Sequence, residues 1–289
     1  MRIESNVASP EQNFNCLPGK ECYTDNMNQP IPTVLVFSGL DPGGGAGIQA
    51  DIEALSSQGC HACPIITALT VQDTRDVSRV SSVTPELVLE QAETLLADIN
   101  IDAIKIGLVN SIEMVEVIQT ILNKLTHVPV VFDPVLASGN ETDLNNNETR
   151  HAFNKYILPH TTVLTPNSKE ARLLAPETDT LDACAVALLD KGCEYVLITG
   201  AHEPSEKVCN TLYNNHRKPE TFQWPRLEGE FHGSGCTLAA SIAGLLAHGN
   251  DPMSAVHEAQ EYTWQSLKQS YMIGRGQSIP NRFFWAKNK

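Results

Sequence analysis

Positive charge is scarce in this sequence, which carries 20 Lys and Arg against 34 Asp and Glu and a formal net charge of -14. A surface that binds nucleic acid or an anionic membrane needs clustered Lys and Arg. The composition therefore argues against non-specific binding to either. An anionic ligand would have to be held by local donors, and the amides of a glycine loop supply them without changing the net charge.

Long apolar runs are also missing, and no stretch approaches the roughly 20 residues of a membrane-spanning helix. Residues 1–32 lack the apolar core of a secretory signal peptide, so we expect a cytoplasmic protein. Eight cysteines at irregular spacing do not indicate a disulfide framework. The histidines lack the spacing of a metal triad, and the C-x-x-C at Cys60 to Cys63 is expected to be structural.

The chain changes character near residue 30. Residues 1–30 are polar and show neither helical nor strand periodicity, which predicts a disordered N-terminal tail. Over residues 31–289, apolar runs alternate with amphipathic stretches without an intervening linker, which predicts one α/β domain with a mostly parallel sheet. Predicted strands are 33–38, 63–71, 103–108, 128–132, 161–164 and 195–199, with edge strands at 208–213 and 221–224. Predicted helices include 235–248 and 252–270, and the nearly continuous apolar strands indicate helices on both faces.

The run from Phe231 to Ala240 (FHGSGCTLAA) places two glycines around Ser234 and just before Cys236, ahead of a helical pattern. A glycine-rich turn that opens a helix presents unpaired amides and the positive end of the helix dipole, which favour a phosphate. The same field lowers the pKa of a thiol, so we predict that Cys236 works as a thiolate. Taken alone, the run also fits a small-residue helix start with a buried, inert cysteine.

A second glycine loop follows the first predicted strand, from Ser38 to Asp51 (SGLDPGGGAGIQAD). Residues 45–50 fit the G-x-G-x-x-A of a dinucleotide site, although Asp41-Pro42 interrupts the turn. The glycines also fit a tight turn with no ligand. Two glycine loops suit two ligands, and a phosphate donor and an acceptor would meet between them at the carboxyl ends of the strands.

A polar segment, Thr165 to Glu170 (TPNSKE), follows another predicted strand and opens a helix. Asn167 and Glu170 are three residues apart and fall on one helix face. Together with Asp133, at the end of strand 128–132, they supply the oxygen ligands that a hydrated Mg²⁺ takes. Glu170 also fits ordinary capping of the first helical turn.

Together these residues resemble the ribokinase-like superfamily and, within it, the hydroxymethylpyrimidine/phosphomethylpyrimidine kinases of thiamine biosynthesis. The resemblance covers residues 33–285. It rests on SGLDPGGGAGIQAD (38–51), ITALTVQDT (66–74), KIGL (105–108), DPV (133–135), TPNSKEA (165–171), HGSGCTLA (232–239) and GRGQSIPNRFFW (274–285). It implies a three-layer α/β sandwich, ATP with Mg²⁺, and phosphoryl transfer to a primary alcohol on a pyrimidine. Such kinases are often homodimers.

The resemblance also implies a role for each matching residue. The implied catalytic residues are Cys236, as the base, and Gly233, Ser234 and Gly235, whose amides would stabilise the transferring group. The implied substrate-binding residues are Gln72, on the pyrimidine edge, and Gly39, Asp51, Ala46 and Leu108. The implied ATP-binding residues are Asn167, Thr199 and Gly200, and the implied metal-binding residues are Asp133 and Glu170.

Two departures from the family pattern bear on how many phosphates are transferred. Relatives usually carry a lysine in the loop after D-P-V, whereas this sequence reads Leu136-Ala137-Ser138-Gly139, and Thr199 stands where K-G-G-H is common.

We expect a kinase of 4-amino-5-hydroxymethyl-2-methylpyrimidine and its monophosphate. A pyridoxal or pyridoxine kinase and a pyrimidine-binding sensor without turnover remain alternatives. Residues 282–285 are predicted to form a packed anchor.

Overall fold

The computed structural model describes residues 30–136 and 145–286. The strands are β1 (Thr33–Leu40), β2 (His61–Gln72), β3 (Val77–Ser82), β4 (Ala103–Ile106), β5 (Val130–Phe132), β6 (Val163–Leu164), β7 (Tyr195–Ile198), β8 (Lys207–Asn214) and β9 (Arg217–Pro225). The α-helices are α1 (Gly47–Ser57), α2 (Pro85–Leu96), α3 (Ile112–Leu122), α4 (Asn147–Ala152), α5 (Ser168–Leu174), α6 (Leu181–Asp190), α7 (Ser234–Ala247) and α8 (Pro252–Lys268). A π-helical turn, Phe153–Ile157, and a 3-10 turn, Leu158–His160, continue from α4.

The strands form one sheet in the order β3-β2-β1-β4-β5-β6-β7-β8-β9. The strands from β2 to β7 in this order are parallel, and β3, β8 and β9 add antiparallel edges. The predicted mostly parallel sheet is therefore confirmed. The strand order reverses at β1, which pairs with both β2 and β4, and open α/β sheets bind ligands at such a switch point.

Alternate residues of the strands face two helical layers. On β1, Leu35 and Phe37 pack with residues of α2 to α6, whereas Val34 and Val36 pack with α1, α7 and α8. All four side chains are completely buried. This period-two alternation buries both faces of the sheet, and the predicted three-layer sandwich is confirmed.

Strand β3 has no counterpart among the predicted strands. Its sequence, VSRVSS, has only two apolar residues in six, and it lies exposed at the edge of the sheet. Strand β4 also ends at Ile106, two residues earlier than predicted. None of the helices in the described part has the length and apolarity to cross a membrane.

Residues from Ile31 onward form one compact unit. Nearly all of the tail predicted over residues 1–30 lies outside the described residues, as do the loop residues Ala137, Ser138 and Gly139.

Candidate active site

A cavity of about 620 Å³ opens at the carboxyl ends of the parallel strands. Its lining includes the residues that end or follow six of these strands, namely Leu40, Gln72, Leu108, Asp133, Thr165 and Thr199. The two glycine loops, residues 43–47 and 231–236, also contribute to its wall. The volume lies in the range of small-molecule sites, and the position is the one predicted for a donor and an acceptor.

The two glycine loops pack directly against each other. Gly233 has a φ of +81°, and a Cβ on this residue would lie 2.0 Å from the backbone oxygen of Gly45. Gly47 has a φ of +57°, and its Cβ would lie 2.2 Å from the oxygen of Gly39. Both positions need glycine because of the left-handed backbone and because another backbone lies so close.

The first loop is closed by a carboxylate of the protein itself. Asp41 Oδ1 accepts from the amide of Gly43 (2.7 Å), and Oδ2 accepts from the amides of Gly45 and Ala46 (both 2.9 Å). Burial alone would raise the pKa of Asp41, but hydrogen bonds from His232, Gln72 and the loop amides hold it well below its usual range. These amides are therefore not open to a phosphate, and the dinucleotide interpretation of residues 45–50 is wrong.

The second loop keeps its amides open. Gly233 is the N-cap of α7, and the first amide of the helix with a backbone partner is that of Thr237, which donates to the Gly233 carbonyl (3.0 Å). Among the described residues, the amides of Ser234, Gly235 and Cys236 have no partner. Because these residues line the cavity at the N-terminus of a 14-residue helix, their amides are suited to binding an anion.

Cys236 lies between the two loops and lines the cavity. Gly47 of the first loop and Asp133 after β5 are neighbours of its thiol. Desolvation, together with the charges of Asp133 and Asp51, raises the pKa of the thiol to about 12 against the opposing effect of Lys105. The predicted lowering of this pKa is therefore wrong, because burial and then the two nearby carboxylates raise it.

Two buried carboxylates, Asp133 and Glu170, line the cavity, and a Cβ on Gly235 of the second loop would lie 3.7 Å from Oδ1 of Asp133. Desolvation raises the pKa of Asp133 to about 6. Desolvation and then the charge of Asp133 raise the pKa of Glu170 to about 8. Oδ2 of Asp133 is buried and has no hydrogen-bond partner in the described part of the chain.

Glu170 also caps α5, as the alternative interpretation predicted. Its Oε2 accepts from the Asn167 amide (2.8 Å), while the Asn167 side chain accepts from the Glu170 amide (3.0 Å). These reciprocal bonds form a capping box. Capping fixes the side chain beside Asp133, so the structural and functional interpretations of Glu170 are compatible.

Asp133 and Glu170 fit a cation that takes its remaining ligands from water or from the substrate. No three His, Cys, Asp or Glu side chains within residues 30–136 and 145–286 come together as a metal site. Mg²⁺ is commonly held by one or two carboxylates, with water and substrate phosphates as the other ligands. The unpartnered oxygen of Asp133 and the mutual repulsion of the two acids suit such an ion.

Four of the five predicted substrate-binding residues line the cavity: Gln72, Gly39, Ala46 and Leu108. A Cβ on Gly39 would lie 2.8 Å from Cδ2 of Leu108, so these two residues shape one narrow wall. Asp51 does not line the cavity and was wrongly predicted to do so. It is completely buried behind the wall, 2.9 Å from Nζ of Lys105.

The predicted ATP-binding residues are only partly brought together. Asn167 and Thr199 line the cavity and form a bridge between the segments after β6 and β7. Gly200 does not line it: its amide donates to Oδ1 of Asn210 (3.0 Å), and a Cβ would lie 2.2 Å from the oxygen of Cys209. The role of Gly200 is therefore to let β8 approach closely.

The packed anchor predicted over residues 282–285 is found only in part, because Arg282 is buried whereas Phe283 and Trp285 are exposed. The contacts that Arg282 makes beside the cavity were not predicted. Arg282 is 1% exposed and donates to the Gly45 carbonyl (2.5 Å), to Oγ1 of Thr237 (2.9 Å) and to Glu53 (3.0 Å). It thus joins the two glycine loops. The sequence feature that could have indicated this role is a charged arginine in an otherwise aromatic closing segment. For Lys105, the corresponding feature is a lysine within the apolar strand AIKI.

Arg226 fixes the loop that follows Thr199 at the other end of the cavity. Its guanidinium donates to the carbonyls of Ala201 (2.8 Å), Glu203 (2.9 Å) and Ser205 (2.9 Å). Arg226, Lys169 and His202 are basic residues of the lining at this end. This end is therefore the more suitable one for phosphates.

Comparison with known proteins agrees with this geometry. A family model described as phosphomethylpyrimidine kinase matches residues 41–281. The chain belongs to this family. It is 35% identical over 253 residues to the hydroxymethylpyrimidine/phosphomethylpyrimidine kinase of Mycobacterium leprae, which covers 84% of this chain and 91% of the relative.

Two solved structures are similar over most of the domain. The pyridoxal kinase from Staphylococcus aureus in complex with AMP-PCP and pyridoxal has a TM-score of 0.80 at 25% identity, covering 89% of this chain and 96% of that one. The phosphomethylpyrimidine kinase from Clostridium difficile 630 has a TM-score of 0.70 at 30% identity, covering 81% and 98%. The ribokinase-like fold implied by the sequence motifs is therefore confirmed.

Proposed function

We propose that this protein is an ATP-dependent kinase that phosphorylates 4-amino-5-hydroxymethyl-2-methylpyrimidine and its monophosphate in thiamine biosynthesis. One observation carries the proposal. A single cavity holds Gln72 at one end, the open amides of α7 with Cys236 at its centre, and the carboxylates Asp133 and Glu170 beside them. The membership of the phosphomethylpyrimidine kinase family supports the same activity.

In this mechanism the hydroxymethyl oxygen attacks the γ-phosphorus of ATP in line, and the bond from that phosphorus to the ADP oxygen breaks. The hydroxyl proton passes to Cys236, the proposed base. The amides of Ser234, Gly235 and Cys236 stabilise the charge of the transferring phosphoryl group. Because the thiol pKa is raised to about 12, Cys236 must first release its own proton to solvent, and only the resulting thiolate can accept the hydroxyl proton.

Asp133 and Glu170 are the residues that would hold Mg²⁺, and Asn167 orients Glu170 through the capping box. When bound, this ion neutralises phosphate charge and orients the phosphoryl group for transfer. The buried oxygen of Asp133 supports this assignment. Thr199 and the loop fixed by Arg226 are proposed to contact the nucleotide.

The second phosphorylation needs room for a monophosphate at the position of the first product. The open amides of α7 can hold that phosphate by charge-assisted hydrogen bonds. Thr199 would offer a hydroxyl where relatives present a lysine, so we expect the second step to be the slower one. A cytoplasmic location and a homodimer remain predictions.

A pyridoxal or pyridoxine kinase is the second candidate. The observation that favours it is the TM-score of 0.80 with the S. aureus pyridoxal kinase. Both substrates are heteroaromatic rings with a hydroxymethyl group, so the fold alone does not separate them. A binding-only pyrimidine sensor is the candidate from another class.

Release of ADP with each alcohol tests the three candidates. We expect turnover with the hydroxymethylpyrimidine and slower turnover with its monophosphate. Both rates should be at least tenfold higher than those with pyridoxal or pyridoxine. Turnover with the vitamin B6 alcohols alone would contradict the proposal. Binding of the pyrimidine without any phosphate ester in a single-turnover reaction would identify a sensor.

A further inference from the structure

A chain of buried hydrogen bonds runs from the segment after β7 to helix α8. The Gly200 amide donates to Oδ1 of Asn210 on β8 (3.0 Å), and the Asn210 amino group donates to Oε1 of Gln260 on α8 (2.9 Å). The Gln260 amino group donates to the Val256 carbonyl (3.2 Å). Asn210 is 7% exposed and Gln260 is 3% exposed. The residue that follows Thr199 is therefore connected to the backbone of α8.

The chemistry of the partners fixes the direction of each bond in this chain. A backbone N–H and the indole N–H of a tryptophan only donate. Oδ1 of Asn210 therefore faces Gly200, and its amino group faces Gln260. Nε1 of Trp224 also donates to Oε1 of Gln260 (3.2 Å), so this oxygen accepts two hydrogen bonds and uses both lone pairs. The Gln260 amide has one orientation that satisfies these neighbours.

Helix α8 also supports the loop over residues 201–205, through Trp264. Nε1 of Trp264 donates to the carbonyl of Pro225 (3.0 Å). The next residue, Arg226, donates to three carbonyls of that loop. Residues 260 and 264 are four apart and lie on one face of the helix. One face of α8 therefore supports both the beginning of the loop after β7 and its far end.

We infer that Gln260 is a positioning residue for the nucleotide: through Asn210 it holds Gly200 and so fixes the loop that follows Thr199. The inference rests on the proposed function, which assigns this end of the cavity to the nucleotide, and deepens it. Without Oε1 of Gln260, two buried donors lose their acceptor, and the Asn210 amide is free to turn away from Gly200. The alcohol binds at the other end of the cavity, beside Gln72, and is not part of this chain.

Calorimetric titration of the whole protein with ADP and Mg²⁺ tests this role without turnover. Gln260→Met keeps the length of the side chain but removes its polar atoms. We expect the dissociation constant for ADP to rise about tenfold, because buried donors are left unpaired. KM for the pyrimidine alcohol should stay within about twofold, since its site is distant. A folded Gln260→Met variant that binds ADP like the wild type would overturn the inference.

Gln58→Met is the matched control. The Gln58 side chain also donates a hydrogen bond, to Oγ of Ser241 (2.8 Å), but it does not line the cavity. We expect it to change neither the dissociation constant for ADP nor KM for the alcohol. An equal loss of ADP binding in Gln58→Met and Gln260→Met would show a general effect of losing a hydrogen bond and would overturn the inference.

Gln260→Glu separates positioning from a loss of packing. A glutamate keeps an acceptor oxygen for Asn210 and Trp224, and burial favours its protonated form, which can donate to the Val256 carbonyl. We expect Gln260→Glu to bind ADP more tightly than Gln260→Met does, whatever the order of their stabilities in urea unfolding. If Gln260→Glu binds ADP as weakly as Gln260→Met, the acceptor oxygen has no positioning role and the inference fails.

The double variant Asn210→Leu/Gln260→Met tests whether Gln260 acts through Asn210. If it does, the double variant binds ADP no more weakly than Asn210→Leu alone, because the chain is already broken. Losses that add would indicate that Gln260 contacts the nucleotide directly, and would overturn the positioning role. Asn210→Leu also carries the test if Gln260→Met does not fold, since unchanged ADP binding in that variant would contradict the inference.

The wild-type protein separates this inference from the proposed function. Binding of ADP that weakens in Gln260→Met, without phosphorylation of the pyrimidine alcohol by the wild type, would overturn the proposed substrate and support the positioning role. A wild-type protein that does not bind ADP would overturn both.

Discussion

Nζ of Lys105 lies 2.9 Å from Oδ1 and 3.0 Å from Oδ2 of Asp51, and both side chains are completely buried. Burial alone would lower the pKa of Lys105, but the charges of Asp51 and Asp133 raise it above its ordinary value. The lysine therefore stays charged beneath the cavity. It balances carboxylates that the protein could not otherwise bury together.

We predict that Lys105→Met destabilises the protein by about 3–5 kcal/mol, because it leaves Asp51 buried without its partner. Urea unfolding measures this change. The control is Lys124→Met, which removes a half-exposed pair with Glu93 (2.5 Å) and should cost about 0–1 kcal/mol. Similar losses in the two variants would show that the buried pair is not a structural requirement.

Cys236→Ala should lower kcat by about 10²- to 10⁴-fold, the range of a general base, with a smaller effect on KM. Steady-state ADP release measures both constants. Cys209→Ala is the control, because this half-buried cysteine of β8 does not line the cavity. If the Cys236→Ala variant keeps the full kcat, Cys236 is not the base. The proposed role of the α7 amides would be unaffected by that result.

Asp133→Asn and Glu170→Gln should each raise the Mg²⁺ concentration for half-maximal activity by tenfold or more, because a neutral ligand binds this hard cation less well. A glutamine at position 170 can keep the capping box, so unfolding should change little. Glu113→Gln, in the first turn of α3, is the control for loss of a helix N-terminal charge. An unchanged Mg²⁺ requirement in both site variants would contradict the assignment.

Arg282→Lys keeps the positive charge but loses the fork that reaches Gly45, Thr237 and Glu53 together. We expect KM for the pyrimidine to rise at least tenfold as the glycine loops separate, with a smaller fall in kcat. Kinetics at saturating ATP separate the two effects. Arg275→Lys, an exposed change in the same segment, should alter neither constant. If it does, the effect at Arg282 is not specific.

The sheet and its layers could be predicted because the signal is local. Each central strand is an almost continuous apolar run, and period-two burial on both faces follows from that composition. Strand β3 escaped prediction because VSRVSS pairs only at an exposed edge. The position of β3 depends on its pairing with β2, and the sequence of the β3 segment alone does not indicate that tertiary contact.

The residues of the candidate site also fall into those that local sequence predicts and those that depend on tertiary contacts. Cys236 and Glu170 follow from local motifs, since a glycine loop and a capping residue work through neighbours in the sequence. The burial of Asp51, the pairing of Asp41 with His232 and the reach of Arg282 all depend on contacts between distant segments. The raised pKa of Cys236 belongs to this group too, because carboxylates from other strands produce it.

Arg282 contacts Gly45 across 237 residues of chain. At synthesis rates of about 5–20 residues per second, the first glycine loop leaves the ribosome roughly 10–50 s before the arginine that fastens it to the second. The parallel strands can assemble during that interval, but the two loops cannot be joined. A nascent chain therefore reaches the binding-competent form only when almost the whole domain has been translated, and no pyrimidine can assist its earlier folding steps.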